Sequence, residues 1–228
     1  MSIVLSKFWK RGSLSMKNSH GNLQKHLNPN PAQRWLLERF HRRIVQLVVS
    51  TGAQNILDAG CGEGFTIQKL RAAKTLEQSE IAGIDFSAAA LAWNQGQQSN
   101  LLPAEKHTPL TQADVHRLPF PDNSFDLVYS LEVLEHLPDS SLGLRELTRV
   151  SRDYVLLSVP HEPFFRGANF LRGKHIRAFG NDPEHLHNYS GRAFRQLVSE
   201  QLEVLWHGYS FPWQIAIGRK KQRNINLK

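Results

Sequence analysis

The sequence predicts an α/β fold: a parallel sheet covered by helices on both faces. Three observations predict it. Short apolar strands alternate with helical patterns from residue 55 to residue 160. The strands are apolar along their whole length, as strands buried on both sides must be. Glycines then cluster directly behind the first strand, where an open sheet of this kind receives its ligand.

Residues 1–30 read as a flexible basic arm running into "NPNPAQ", with Pro31 placed to open a helix. "RWLLERFHRRIVQLVVS" has apolar residues at helical spacing and stops before Gly52. "NILDA" reads as a short buried strand, "GFTIQKLRAAK" as a helix and "EIAGIDF" as a strand. Ser87 caps the helix "AAALAWNQGQQ". "KHTPLTQADV" is a weaker strand, interrupted by Pro109. "FDLVYSL", "SSLGLRELTRVS" and "DYVLLSVP" follow as strand, helix and strand. Residues 161–189 are rich in Arg, His, Pro and Gly and lose all periodicity, so they read as an insertion and substrate lid. "GRAFRQLVSEQ" resumes a helix, and "LEVLWHGYS" with "WQIAIGRK" forms a terminal strand pair. The sum is one domain over residues 31–218, followed by a basic tail at 219–228.

Bulk properties exclude several classes. With 40% hydrophobic and 21% charged residues, the chain has the composition of a soluble globular protein. No apolar run approaches the ~20 residues that span a bilayer. Cys61 is the single cysteine, so no intramolecular disulfide forms and a reducing cytoplasm is the expected setting. The net charge of +8 is uneven: no acid precedes Glu38, while Lys7, Lys10, Arg11, Lys17, Lys25 and Arg34 fall in that stretch, and the C-terminus repeats the theme in "GRKKQRNINLK". Such ends either attract phosphate, including peripheral contact with an anionic membrane, or are simply solvated.

The glycine loop carries the first chemical signal. Gly60, Gly62 and Gly64 give G-x-G-x-G, not the G-x-G-x-x-G of dinucleotide folds. Asp58 and Glu63 stand beside them, and carboxylates there would repel a pyrophosphate by something like 1–4 kcal/mol per close pair. A nucleoside ligand with a cationic tail and no phosphate would welcome them, and S-adenosyl-L-methionine is such a ligand. Asp85 ends the second strand about twenty residues on, where a carboxylate accepts both ribose hydroxyls. Phe86 beside it packs either on the adenine or on the sheet.

The stretches "LDAGCGEG" (57–64), "GIDFS" (83–87), "ADVHRLPFPDNSFDLVYSLEVLEHL" (113–137) and "YVLLSVP" (154–160), in this order, make the chain similar to the class I S-adenosylmethionine-dependent methyltransferases. The resemblance is to the small-molecule branch that includes ubiquinone and menaquinone biosynthesis enzymes. It implies a Rossmann-like fold of seven strands, mostly parallel with one antiparallel. It also implies that Asp58, Gly60, Cys61, Gly62, Gly64, Asp85 and Phe86 form the cofactor loop and ribose side. Asp114 would take the adenine amino group and the Val115 backbone the ring edge, with Ser130 and Leu131 lining the methionine side.

Other residues compete for roles. "EVLEH" matches neither zinc-helix spacing, and His185 and His187 lack further ligands, so no metal is expected. His136 and His161 follow the fourth and fifth strands and are candidate general bases, or supports for their loops. In the insertion, Arg166, Arg172, Lys174, His175 and Arg177 interleave with Phe164, Phe165, Phe170 and Phe179. That mixture suits an acceptor with an anionic group on an apolar body, with Arg166, Arg172 and His185 as substrate candidates. The expected activity is methyl transfer to a small-molecule or lipid-like acceptor. The alternatives are an RNA methyltransferase, a nicotinamide-linked oxidoreductase and a catalytically silent nucleoside-binding protein. Nucleic acid is disfavoured because "SLEVLE" stands where amino-methylating enzymes carry a Pro-Pro-Tyr/Phe element.

Overall fold

The computed structural model describes residues 21–162 and 186–221. The strands are β1 (Asn55–Ala59), β2 (Glu80–Asp85), β3 (Leu110–Gln112), β4 (Phe125–Leu131), β5 (Ser151–Pro160), β6 (Leu202–Ser210) and β7 (Trp213–Lys220). The helices are α1 (Gly21–Leu27), α2 (Pro31–Thr51), α3 (Phe65–Arg71), α4 (Ala88–Leu101), α5 (Ser140–Val150) and α6 (Gly191–Gln201). The seven strands form one sheet in the order β3-β2-β1-β4-β5-β7-β6. β1 to β5 run parallel, and β7 inserts antiparallel between β5 and β6.

Alternation along each strand builds two cores. Leu57, Val128, Val155, Leu157 and Ala216 face α5 and α6, meeting Leu144, Leu147, Phe194 and Val198. Their neighbours Ile56, Leu127, Leu156, Ile215 and Ile217 face the other way, against Phe40, Ile44 and Val48 of α2 and Ile67 and Leu70 of α3. Side chains with period two thus satisfy both layers, which is why these strands carry no polar face.

The helix boundaries follow from their caps. The Asn30 side chain accepts from the Ala32 and Gln33 amides, Pro31 holds the first position, and Gly52 ends α2 in the left-handed conformation. Ser87, Asp139 and Ser190 accept from the Ala90, Leu142 and Ala193 amides to open α4, α5 and α6.

The structure differs from the sequence reading at three places. α1 lies within the stretch read as a flexible arm. Packing makes it: the His26 ring stacks on Phe65 at 3.9 Å, and the Gln33 amide donates to the Lys25 carbonyl. β3 is reduced to three residues because Pro109 offers no ladder donor, although its carbonyl accepts from Gly83. The tail read from residue 219 overlaps β7, which ends at Lys220 as the strand "WQIAIGRK" had it, and the Lys220 ammonium donates to the Arg149 and Ser151 carbonyls.

A glycine-lined crevice at the sheet switch point

The chain leaves β1 for β2 on one side, while β4 lies on the other, so the strand order reverses between β1 and β4. Ligands of open α/β sheets bind at the carboxyl ends of such a pair. Here β1 ends in the glycine loop. Gly60, Gly62 and Gly64 have φ of 92°, 48° and 79°, a region that side chains disfavour. The loop is pinned from below, because the Gly60 and Cys61 amides both donate to the Ile84 carbonyl at 2.8 Å. It is also closely walled. A Cβ on Gly60 would sit 2.3 Å from Val133 Cγ2, and one on Gly64 would sit 2.3 Å from Asn94 Oδ1.

Asp85 stands at the end of β2 and holds this loop. Its Oδ2 accepts from the Gly62 amide and its Oδ1 from the Ser87 amide, each at 2.8 Å. Each carboxylate oxygen retains acceptor capacity, and the residue is only partly buried. Phe86 follows with 76% of its surface exposed, a large apolar ring in water beside the crevice. Beyond β3, Asp114 is exposed and engages His116: its Oδ1 accepts from the His116 amide at 2.9 Å and lies 2.8 Å from Nδ1. The His116 amide first, and then its ring, hold that carboxyl below the usual carboxylate range. Val115 next to it is buried.

Beneath the loop the chemistry changes. Asp58 is 3% exposed and accepts a 2.8 Å hydrogen bond from the Tyr129 hydroxyl. Burial pushes its carboxyl up to about 8, with the Asp85 charge adding to the rise and Tyr129 opposing it. Cys61 is buried, and the same desolvation pushes its thiol far up. Glu63 is buried as well. Ser130 is fully buried and donates to the Ala59 carbonyl at 2.7 Å, tying β4 to β1, while Leu131 packs partly buried against the α2 core.

Three features of this site escaped the sequence reading. Asn94 of α4 is fully buried, and its Nδ2 donates to the Gly62 carbonyl at 3.4 Å. A polar residue on the apolar face of "AAALAWNQGQQ" was its signal. Tyr129 reads from sequence as an ordinary core residue. The third is the pair Glu132 and Glu135, considered above only as metal ligands. Glu132 takes φ of 59°, which is rare outside glycine, and Ser158 Oγ donates to its Oε1 at 3.1 Å. Glu135 is 1% exposed.

The remaining candidates scatter. His136 ends a turn of 3-10 helix at Leu134–His136, directly after Glu135. His161 follows β5, and its ring lies 4.6 Å from that of Tyr209. Burial, then His207, lower its affinity for a proton. His187 contacts the Leu137 carbonyl through Nε2. Arg166, Arg172 and His185, with Lys174, His175, Arg177 and the four phenylalanines of the insertion, lie outside the described residues. Among the described residues no group of three His, Cys, Asp or Glu side chains could hold a metal, and no helix is long and apolar enough to cross a membrane.

A bare, acid-flanked loop thus stands at the switch point of a doubly wound sheet, where folds of this kind hold their ligands. Residues 57–157, a little under half of the chain, match the family described as "Methyltransferase domain". The chain is 33% identical over 128 residues to the cycloartenol-C-24-methyltransferase of Arabidopsis thaliana, covering 52% of this chain and 36% of that one. It is 34% identical over 120 residues to a malonyl-[acyl-carrier protein] O-methyltransferase of Legionella pneumophila, covering 52% and 39%. The chain therefore spans well under half the length of these relatives. Among solved structures, magnesium protoporphyrin IX methyltransferase from Synechocystis PCC 6803 with bound S-adenosylhomocysteine superposes with a TM-score of 0.65 at 16% identity, over 87% of this chain and 92% of that one. This likeness is one of fold.

Proposed function

We propose that the protein transfers a methyl group from S-adenosyl-L-methionine to a small-molecule or lipid-like acceptor. The observation that carries the reading is Asp85, positioned by the Gly62 and Ser87 amides with lone pairs to spare at the mouth of the crevice. When bound, the cofactor supplies an electrophilic methyl on a sulfonium. The chain supplies placement, which is most of what an in-line displacement needs.

In this reading Asp85 accepts the two ribose hydroxyls and the exposed Phe86 ring covers the adenine. Asp114 takes the adenine amino group and the Val115 backbone takes the ring edge. Gly60, Cys61, Gly62 and Gly64 let the methionyl part lie against bare backbone, over the acids Asp58 and Glu63. Ser130 serves through the strand it fixes, and Leu131 through the wall it forms. The fit is chemical: a bound cation draws the raised Asp58 carboxyl towards its ionised form and is stabilised by it, whereas a pyrophosphate is not. The related enzymes are named for a sterol and an acyl-carrier-protein ester, which supports a small or lipid-like acceptor over RNA. An anionic group on that acceptor, a lid at 161–189, the 31–218 domain limits, basic ends at a membrane and a reducing cytoplasm all rest on composition.

Isothermal titration tests the reading. S-adenosylhomocysteine should bind, and Asp85→Ala should weaken it by at least about 1–2 kcal/mol, since charged acceptors are lost from two hydroxyls. Unchanged affinity in Asp85→Ala, or tight NADH binding, would overturn it. Labelled methyl donor with fractionated extract then identifies the acceptor class.

A further inference from the structure

Glu132 and Glu135 are buried acids that the reading above leaves without work. Val133 crowds Gly60, so Glu132 stands one residue from the cofactor crevice. Its side chain runs towards the ends of β5 and β7: Ser158 Oγ donates to Oε1, and Trp213 lies beside it. Among the described residues, Glu132 Oε2 is closed off from solvent with no partner in hydrogen-bond geometry, and neither carboxyl oxygen of Glu135 has one. The indole of Trp213, itself 7% exposed, interacts with the Glu132 carboxyl and leaves its own N–H turned to that acid. Buried polar atoms are almost always partnered in a native fold, so three carboxyl oxygens left over side by side, next to the crevice, mark a place where a ligand can supply the missing partner.

We propose that Glu132 is a catalytic proton acceptor, and that the acceptor molecule therefore presents a protic heteroatom, a hydroxyl or amine, to the Glu132–Glu135 pair. The proposal rests on the methyltransferase reading and adds the substrate class to it. The heteroatom's lone pair forms the new bond to the methyl carbon while the carbon–sulfur bond breaks. That bond's electron pair stays on sulfur, which becomes a neutral thioether. The proton shed by the heteroatom passes to the Glu132 carboxylate, and from there to solvent on product release. A carbon acceptor would leave these oxygens unsatisfied.

The surroundings suit this work. Burial pushes the Glu132 carboxyl up to about 7, against Lys25 of α1, Ser158 and Trp213, which pull it down. A base near neutrality combines the deprotonated state with driving force. Glu135 is raised further, by burial and then by the Glu132 charge, with Lys25 opposing. Tyr189 faces Glu135 from the loop before α6. Burial and the Glu132 charge thus both favour the neutral form of Glu135, which positions Glu132 as its neighbour.

Sinefungin, a cofactor analogue whose ammonium replaces the sulfonium methyl, probes this without knowledge of the acceptor. Its affinity is compared with that of S-adenosylhomocysteine, which lacks the methyl. In the wild type the sinefungin advantage should grow about tenfold from about pH 6 to about pH 8 as Glu132 ionises. Glu132→Gln should abolish that growth while leaving S-adenosylhomocysteine binding within about twofold, and Ser158→Ala, which removes a stabilising donor, should move the step to higher pH. A sinefungin advantage that is flat with pH in the wild type, or unchanged in Glu132→Gln, would overturn the proposal even with the cofactor bound normally. The wild-type profile decides the matter if the variant fails to fold. A wild type binding neither nucleoside would overturn the cofactor reading, and this assignment with it.

Discussion

The Tyr129 hydroxyl and the Asp58 carboxyl meet at 2.8 Å between adjacent strands, both out of contact with water. The pair lies directly beneath the glycine loop and joins β4 to β1 at the switch point. Tyr129→Phe deletes the donor and leaves a carboxyl oxygen stranded. We expect a loss of about 1–3 kcal/mol of stability in urea denaturation. Because the tyrosine also holds the Asp58 carboxyl down, Asp58 should become harder to ionise in the variant. A denaturation midpoint equal to that of the wild type would mean the hydrogen bond contributes nothing.

The pH dependence of the ligand-free protein has a definite sign. Asp58 and Glu132 are raised to about 8 and about 7 when folded. Between an ordinary carboxylate pKa near ~4 and those values, the folded chain holds protons that the unfolded chain has released. The contribution of these two groups is therefore complete below about pH 4 and is lost as pH climbs through 7 and 8. Asp58→Asn should flatten this fall, as measured by thermal unfolding across the range. An Asp58→Asn slope as steep as the wild type would place the titration elsewhere.

Gly60→Ala combines two penalties, a φ of 92° and a Cβ 2.3 Å from Val133 Cγ2. A loss of about 2–4 kcal/mol is expected, with cofactor affinity falling as the loop shifts. Gly96, with open space around it, is the control: Gly96→Ala within α4 should stabilise by up to about 1 kcal/mol. Equal melting temperatures for the two variants would contradict the crowding at Gly60.

Phe86→Ala separates binding from folding. The ring is 76% exposed, so its removal should change stability by less than about 0.5 kcal/mol. Stacking on a base is worth about 1–3 kcal/mol, so affinity for S-adenosylhomocysteine should drop by roughly tenfold or more. Intact affinity would assign the ring to another surface.

Much of this was legible in the chain itself. β1, β4, β6, β7 and α6 fall where their apolar periods and turn residues put them, because period and burial agree there. The loop glycines and Asp85 were legible because backbone that must bare itself, and an acid that must close a strand, leave few residue choices. Asn94 and Tyr129 were not, since their partners Gly62 and Asp58 lie 32 and 71 residues away. The Glu132–Glu135 pair was misjudged for a related reason. Spacing tests a metal set, whereas the pair's unusual state comes from desolvation, which only packing creates. α1 was missed because its seven residues fold through contacts with Phe65 and Gln33 and carry no period of their own.

Cys61 is the sole thiol of the chain, shut away against the glycine loop with its sulfur 3.9 Å from the Asn94 amide nitrogen. An alkylating reagent reaches it only when that loop lifts. The rate of maleimide labelling is thus a native clock for loop opening, and any nucleoside that latches the crevice shut should slow it without a dye or tag being introduced.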